Sequence, residues 1–307
     1  MTPSDSLGDR MPDFEPQRAV VRDVEIAFLR EGAGGFPLLL LHGWPESMRI
    51  WWRNITSLAD SGFEVIVPDL RGFGESGLDR DGAYDVATHA RDMEALVRGE
   101  LGHQRCAACG GDFGGVVAQD LGLRFPGFVS RLVLFNTIAP VLPDSPRELA
   151  PVTLMAADYF RRQGTDADGL AAELDTPDKR RRYVAQMYGP RFWAAPGAFT
   201  PDDIEFMVEP YGDAEHFRAS LALYEYALGT RRWSEAPHLR EPNSIPTLIL
   251  YGPEDHVIPR DFPERMQAAF TERIGPFVVP GAGHFLQWER ADVLNQAIRY
   301  FCLDLLS

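Results

Sequence analysis

An aspartate stands in the middle of a glycine-rich stretch, CGGDFGG, at residues 109–115. Glycines on both sides of Asp112 are typical of a tight turn that has no room for Cβ atoms and holds one side chain in the open. A carboxylate that attacks an ester makes a reactive anhydride, whereas one that attacks a saturated carbon with a leaving group makes a stable alkyl ester. If Asp112 is a nucleophile, it therefore favours alkyl transfer. The alternative is an ordinary turn between a strand and a helix.

The residues around and after Asp112 have the types and order of a catalytic set. Gly110 and Gly114 give the G-x-nucleophile-x-G spacing of a nucleophile elbow. Asp255 ends the segment TLILYGPED, and His284 lies in PGAGHF. The chain order is thus nucleophile, acid, histidine. In such a set the histidine activates water, and the acid orients the imidazole and stabilises its protonated form.

A second short motif directly follows the apolar run FPLLLL at residues 36–41 and consists of His42, Gly43, Trp44 and Pro45. In proteins with a nucleophile elbow, the loop after this strand supplies a backbone N–H group to the oxyanion hole. We expect the backbone N–H groups of Trp44 and Phe113 to stabilise the developing oxyanion. Another loop of the same kind, PDLRGFGES, covers residues 68–76.

Short apolar runs alternate with segments of helical spacing along the chain. This alternation predicts the strands and helices that position the residues named above. Residues 19–21 and 24–29 are predicted to be two paired strands joined by a turn at Arg22 and Asp23. The further predicted strands are 36–41, 63–67, 105–109, 131–135, 247–251 and 277–279. The predicted helices of this part are 50–58, 86–101, 116–125, 260–270 and 292–306. Continuous apolar strands alternating with helices favour a mostly parallel sheet that is covered on both faces.

The alternation stops between residues 139 and 238, where strand signals give way to helical segments such as 220–228. We therefore predict an α/β core at 17–138 and 239–307, interrupted by a helical cap at 139–238. Residues 1–16 are polar and contain prolines, and we expect a loose leader there.

With the aspartate elbow, the HGWP segment and the helical insertion, the sequence resembles the α/β-hydrolases, and among them the epoxide hydrolases. The resemblance extends over residues 18–305 and is thinner inside the cap. It implies an α/β-hydrolase fold: a mostly parallel eight-stranded sheet with helices on both faces and an inserted cap. It also implies opening of an epoxide to a vicinal diol through an alkyl ester on Asp112, which water activated by His284 hydrolyses. The chain departs from the family at Gly111 and Phe113, where His and Trp are frequent.

The resemblance further implies one or two cap tyrosines that protonate the alkoxide leaving group. Tyr224 stands 31 residues before Asp255, close to the family's interval. Tyr159 is the candidate for the second position. The local match leaves open that Tyr159 is a structural residue and that Ala156 stands at the catalytic position, which would leave a single phenol.

Two other functions fit the elbow. A haloalkane or haloacid dehalogenase uses the same Asp-His-Asp triad, but halide release needs N–H donors near the elbow, which Trp44 supplies only if its indole turns inward. Phe113 and Asn136 do not match the positions that dehalogenases require. A non-catalytic ligand receptor of the same fold is the third alternative, although such proteins often lose the histidine or the acid.

Composition narrows the partners. A net charge of -15 argues against nucleic acid and anionic membranes, and no apolar run is long enough for membrane insertion. Cys106, Cys109 and Cys302 suggest a reducing, cytoplasmic location, with the first two as buried strand residues rather than a redox pair. No metal or nucleotide motif is present, so we expect no cofactor. The expected partners are a small apolar epoxide and water, with a homodimer left open.

Several charged residues are expected on helix surfaces. Asp85 and Asp92 flank or lie within the helix predicted at 86–101, and the run KRRR at 179–182 belongs to the cap. Charges on helices are most simply solvated.

Overall fold

The structure is a computed structural model that describes residues 14–140, 142, 154–189 and 193–306, with the backbone alone for 154–157. Most of the predicted leader at 1–16 and the side chain of Ala156 therefore lie outside the described residues. Within them, eight strands form one sheet: β1 Gln17–Val21, β2 Val24–Glu31, β3 Phe36–Leu41, β4 Phe63–Pro68, β5 Cys106–Gly111, β6 Val129–Thr137, β7 Thr247–Tyr251 and β8 Arg273–Val278.

The strand order is β1-β2-β4-β3-β5-β6-β7-β8. β2 pairs antiparallel with β1 and with β4, and the other neighbours pair in parallel. The prediction of a mostly parallel eight-stranded sheet is thus confirmed. β1 and β2 are joined at Arg22 and Asp23, which both have positive φ angles (48° and 70°), as a two-residue hairpin with the right-handed twist requires.

The centre of the sheet is fully covered. Leu38, Leu39, Leu40 and Leu41 of β3 are all buried, as are Cys106 and Cys109 of β5, which are free cysteines. Strands buried on both faces read as continuous apolar runs. Because β3, β5, β6 and β7 are parallel neighbours, their carboxyl ends meet at one edge, where open α/β sheets bind ligands.

The α-helices of the described residues are α1 Ile55–Ala59, α2 Val86–Glu94, α3 Asp112–Arg124, α4 Leu154–Thr165, α5 Ala167–Glu173, α6 Pro177–Ala185, α7 Pro201–Val208, α8 Ala214–Ser220, α9 Ala222–Leu228, α10 Phe262–Ala269, α11 Leu286–Glu289 and α12 Ala291–Phe301. Helices α4–α9 lie between β6 and β7, and we refer to residues 139–238 as the cap segment. Helix α3 begins at Asp112, four residues earlier than the sequence pattern indicated, because the elbow itself opens the helix.

The cap segment rests on the loop that follows β3. Two buried tyrosine hydroxyl groups of the cap segment donate hydrogen bonds to this loop: Tyr188 to the carbonyl of Pro45 and Tyr211 to the carbonyl of Glu46. Because hydrogen bonds have narrow ranges of distance and angle, these two contacts fix the position of the loop backbone. The cap segment therefore holds the backbone that carries Trp44.

Three of the charged residues expected on helix surfaces, Asp85, Asp92 and Arg180, are instead buried, whereas Lys179 and Arg182 are exposed. Asp92 is completely buried because Arg71 binds it through two guanidinium nitrogens, at 2.5 and 2.6 Å, and Asp85 is buried because it caps α2. Arg180, within the KRRR run, is also buried and donates to the carbonyls of Leu174 and Gly212. In each case specific partners replace water, which is the condition for burying a charge.

Candidate active site

The turn between β5 and α3 holds Asp112 in a strained conformation. Its φ angle is 44°, a value that non-glycine residues rarely adopt. Gly114 makes this turn possible, because a Cβ atom there would lie 2.2 Å from the carbonyl oxygen of Leu41. A Cβ atom at Gly111 would lie 2.3 Å from the ring of Phe135, which explains why this chain has no larger residue before Asp112. Asp112 also stands in the first turn of α3, where the helix dipole stabilises negative charge.

One carboxylate oxygen of Asp112 already contacts a backbone donor. The N–H group of Trp44 donates to Oδ1 over 2.9 Å. Gly43 allows this approach, since a Cβ atom there would lie 2.5 Å from the same oxygen. Phe113 is buried beside Asp112 at the start of α3, and its backbone N–H remains our predicted second donor. With Oδ1 held in this way, Oδ2 is the oxygen that faces His284.

His42 supports the donor loop as a neutral side chain. Burial lowers the pKa of His42 to about 4. Nε2 accepts from the backbone N–H of Leu70, so the proton sits on Nδ1, which donates to the carbonyl of Gly43. The imidazole thus ties the peptide before Trp44 to the loop after β4. Pro45 follows through a cis peptide bond.

Asp255, His284 and Asp112 lie in a row. The distance from Asp255 Oδ2 to His284 Nδ1 is 2.8 Å, and His284 Nε2 lies 3.3 Å from Asp112 Oδ2. The second contact is not aligned as a hydrogen bond, so it is a close charge contact. His284 is fully buried, whereas 17% of the Asp112 side chain is exposed. The arrangement places Nε2 of the buried imidazole beside the Asp112 carboxylate.

The protonation of His284 depends on the two carboxylates. Burial by itself would lower the pKa of His284, but the charges of Asp255 and Asp112 raise it well above the usual value. His284 is therefore protonated while both carboxylates are ionised. Loss of the negative charge on Asp112 removes part of this stabilisation and lowers the pKa of the imidazole.

Asn136 is a residue whose role sequence reasoning missed. It lies near the end of β6, is fully buried and has a positive φ angle of 36°. Its Nδ2 donates to Asp255 Oδ2 over 2.7 Å, and its Oδ1 accepts from the N–H of Gly252. The other oxygen of Asp255 accepts from the N–H groups of Val257 and Ile258. Asn136 in β6 therefore orients the carboxylate of Asp255, which follows the neighbouring strand β7. A polar residue directly after the apolar run RLVLF was the available signal.

Tyr159 and Tyr224 lie on the same cavity as Asp112. The cavity has a volume of about 340 Å³ and is otherwise mostly apolar, with a lining that includes Phe113, Ile138, Phe160, Leu223, Val257 and Phe262. The two tyrosine rings are in edge-to-face contact, with centroids 6.0 Å apart. Burial is the main reason why the pKa of each phenol lies well above its usual value. The negative charge of Asp112 raises both pKa values further. Both hydroxyls are therefore protonated.

The indole of Trp44 is turned toward the cap segment. Its Nε1 donates to the hydroxyl of Ser220 over 3.1 Å, and the ring is fully buried. Rings of the cap segment surround it: Tyr224 at 5.3 Å, Trp193 at 5.8 Å and Tyr159 at 6.3 Å between centroids. The indole N–H is thus used in a contact between the core and the cap segment.

Glu46 is a buried titratable group that the sequence pattern did not single out. Its carboxylate accepts from the N–H of Gly43 over 2.6 Å and from Gln287 over 2.9 Å. Burial raises the pKa of Glu46 to about 7, and the charge of Asp112 acts in the same direction. Its position directly after the HGWP motif was the signal that could have identified it.

A larger cavity of about 770 Å³ lies away from these residues, beside the β1–β2 turn. Charged side chains line it, and Arg22 and Arg71 there both bind Asp92. Among the described residues, we find no cluster of metal-ligating side chains and no helix long and apolar enough to cross a membrane. The chemistry-bearing groups converge on the smaller cavity.

Known proteins share this architecture. The family described as alpha/beta hydrolase fold matches residues 37–291. The soluble epoxide hydrolase of Corynebacterium sp. (strain C12) is 28% identical over 287 residues, covering 92% of this chain and 96% of that protein. Epoxide hydrolase A of Mycobacterium tuberculosis is 26% identical, with 92% and 95% covered.

Among solved structures, the unliganded epoxide hydrolase CorEH is similar with a TM-score of 0.82 and 24% identity, covering 95% of this chain and all of that one. At this identity the likeness concerns the fold. The family match spans most of the sequence. The elbow, the strand order and the inserted helices agree with this match. The chain therefore belongs to the α/β-hydrolase family.

Proposed function

We propose that the protein is an epoxide hydrolase that opens a small apolar epoxide to a vicinal diol. The observation that carries this proposal is the cavity that has the Asp112 carboxylate and the phenols of Tyr159 and Tyr224 in one lining. Nucleophile and proton donor are the two groups that epoxide opening needs, because the leaving alkoxide is strongly basic. Its volume of about 340 Å³ suits a small ligand.

In the first half-reaction, Oδ2 of Asp112 attacks one epoxide carbon and the carbon–oxygen bond breaks. A phenol of Tyr159 or Tyr224 gives its proton to the departing oxygen. The product is an alkyl ester on Asp112 that carries a neighbouring hydroxyl group, with one tyrosine left as its anion. Because Asp112 loses its charge in this step, the pKa of each phenol falls as its proton is needed.

In the second half-reaction, His284 takes a proton from water, and the hydroxide attacks the ester carbonyl. Oδ1 becomes the oxyanion and lies at the N–H of Trp44. Esterification of Asp112 lowers the pKa of His284, so the imidazolium first gives its proton to the tyrosine anion, and the neutral imidazole can then act as the base. On cleavage, the leaving oxygen of the diol takes a proton from the imidazolium, and the Asp112 carboxyl group that forms returns its proton to His284.

A dehalogenase is less well supported. Halide release requires N–H donors that face the nucleophile, and the indole of Trp44 donates to Ser220 instead. Phe113 has no side-chain donor. A ligand receptor of this fold would not need an imidazole between two carboxylates at 2.8 and 3.3 Å.

Isotope labelling tests the proposal directly. In a single turnover with styrene oxide in ¹⁸O-water, we expect the label in the Asp112 carboxylate and unlabelled oxygen in the diol, since water attacks the ester carbonyl. A parallel assay with 1-bromobutane should release no bromide. Label in the diol alone would contradict the covalent route, and bromide without diol would favour the dehalogenase.

Further parts of the proposal concern the setting of the enzyme. The three free cysteines support a cytoplasmic location. The proposed reaction uses water and the residues of the chain without a metal or an organic cofactor. Whether the protein acts as a monomer or a homodimer is tested by its mass in solution.

A further inference from the structure

Glu289, at the end of α11, binds the backbone on both sides of His284. Its Oε2 accepts from the N–H of Gly283 over 2.5 Å, and its Oε1 accepts from the N–H of Phe285 over 3.1 Å. We refer to Gly283–Phe285 as the histidine loop. A carboxylate that accepts two backbone N–H groups fixes both peptide planes. The orientation of the histidine loop is thus set by one side chain.

The same carboxylate also reaches the cap segment. Oε2 accepts from the N–H of Ala195 over 3.2 Å, and the N–H of His284 donates to the carbonyl of Trp193 over 2.9 Å. We call Trp193–Ala195 the cap strap. The two backbones are so close that a Cβ atom at Gly283 would lie 2.6 Å from both the oxygen of Trp193 and the nitrogen of Ala195.

The ring of His284 is confined as well. Its centroid lies 4.7 Å from the ring of Trp193, at an interplanar angle of 68°. The acidic groups that act on the imidazole are Asp255, Asp112, Glu46 and Glu289. Glu289 is partly buried, and burial raises its pKa while its three N–H donors and the charge of His284 oppose that rise. The carboxylate therefore acts on His284 through geometry and through charge.

We propose that Glu289 is a positioning residue that joins the histidine loop to the cap strap and keeps the His284 imidazole aligned for the attack of water. The inference rests on the proposed function, because water attack is its second half-reaction. Glu289 does not touch the cavity and is not needed to form the ester. Its loss should therefore slow hydrolysis of the alkyl-enzyme and leave alkylation nearly unchanged.

Three variants separate geometry from charge. Glu289→Gln keeps the length of the side chain and removes the charge, and its amide presents a donor to one of the N–H groups. Glu289→Asp keeps the charge and shortens the reach. Gly283→Ala forces the histidine loop and the cap strap apart. Glu272→Gln removes an exposed carboxylate and serves as the matched control. The wild-type and variant proteins are compared by rapid quenching with styrene oxide and by the mass of the intact alkyl-enzyme.

We expect alkylation within about 3-fold of wild type in Glu289→Gln and Glu289→Asp, whereas Gly283→Ala also displaces Trp193, which packs against Tyr159. Hydrolysis should be about 10- to 100-fold slower in all three Glu289 and Gly283 variants, the range for a misplaced catalytic group, so that the alkyl-enzyme accumulates. The pH profile distinguishes them further. Without the charge of Glu289 the pKa of His284 falls, so the acidic limb of hydrolysis should move to lower pH in Glu289→Gln and stay in place in Glu289→Asp.

Equal slowing of both half-reactions in Glu289→Gln, or no change in either, would overturn the inference. A limb that stays in place in Glu289→Gln would overturn the role of charge. An NMR titration of the His284 ring in substrate-free protein tests the same charge effect without turnover, and thermal melting identifies a variant that fails to fold. If wild type forms no alkyl-enzyme, the proposed function is wrong, while the titration still tests the effect of the Glu289 charge on His284.

Discussion

The core and the cap segment hold their candidate catalytic groups in different ways. In the core, Asp112, Asp255 and His284 follow parallel strands and are fixed by directional hydrogen bonds from Trp44, Asn136 and neighbouring backbone. In the cap segment, Tyr159 and Tyr224 are held mainly by aromatic contacts with Trp44, Trp193 and Phe160.

The difference follows from what each region must do. Hydrogen bonds have narrow ranges of distance and angle, which suits the transfer of protons along a fixed line. Aromatic contacts allow several geometries at similar energy, so they fix the positions of the rings less strictly than hydrogen bonds do. In the proposed reaction, we therefore expect the core to control ester formation and hydrolysis, and the cap segment to control protonation of the leaving oxygen.

The largest effect tests the core. Asp112→Asn removes the attacking oxygen anion, and we expect turnover of styrene oxide to fall by more than about 10⁴-fold. Asp60→Asn, at an exposed aspartate that directly follows α1, should leave turnover unchanged. Diol formation by Asp112→Asn at a tenth of the wild-type rate would mean that the core carboxylate is not the nucleophile.

The next effect tests the cap segment. Tyr224→Phe and Tyr159→Phe remove the proposed proton donors, and each should slow alkylation by about 10- to 100-fold, with a larger loss in the double variant. Hydrolysis of a preformed ester should change little, since it depends on the core. Tyr300→Phe, an exposed tyrosine, is the control. An unchanged alkylation rate in the double variant would remove the cap segment from the chemistry.

Glu46 gives a test of the core through pH. A rise in its pKa from 4.5 to about 7 means that the folded state prefers the protonated carboxyl group. Its contribution to stability is present below pH 4.5 and is lost as the pH rises through 7. In Glu46→Gln, Gln287 can turn its unpaired Oε1 toward the new amide. Relative to wild type, the variant should gain about 2 to 3 kcal/mol between pH 5 and pH 8.5.

Urea unfolding at the two pH values measures this gain. Glu254→Gln, at an exposed site, should show no such dependence on pH. A constant difference between Glu46→Gln and wild type would mean that Glu46 is ionised in the folded protein throughout this range.

The smallest effect tests the seam between the two regions. Ser220→Ala leaves the indole N–H of Trp44 buried without its acceptor, which should reduce the free energy of unfolding by about 1 to 3 kcal/mol. Thermal melting detects this change, and Ser57→Ala on the exposed face of α1 is the control. Unaltered melting would mean that the contact between the core and the cap segment is replaced by water.

Local patterns were sufficient for the sheet and for the candidates that stand at its edge. Buried parallel strands read as apolar runs, and the turn at Asp112 needs glycine on both sides, so these features are visible in short stretches of sequence. The order of Asp112, Asp255 and His284 along the chain identified them as candidates, and the structure brings them within 2.8 and 3.3 Å of one another.

Contacts between distant segments were decided by the tertiary structure alone. Sequence spacing did not place Tyr159 on a cavity, and the packing of α4 against α9 brings its side chain there. The alternative at Ala156 falls on a side chain outside the described residues. The roles of Asn136, Glu46 and Glu289, and the burial of Asp92, arise from partners that lie up to 241 residues away. Short stretches determine strands and turns because those depend on neighbouring residues, whereas the partner of a buried polar group depends on where the rest of the chain folds.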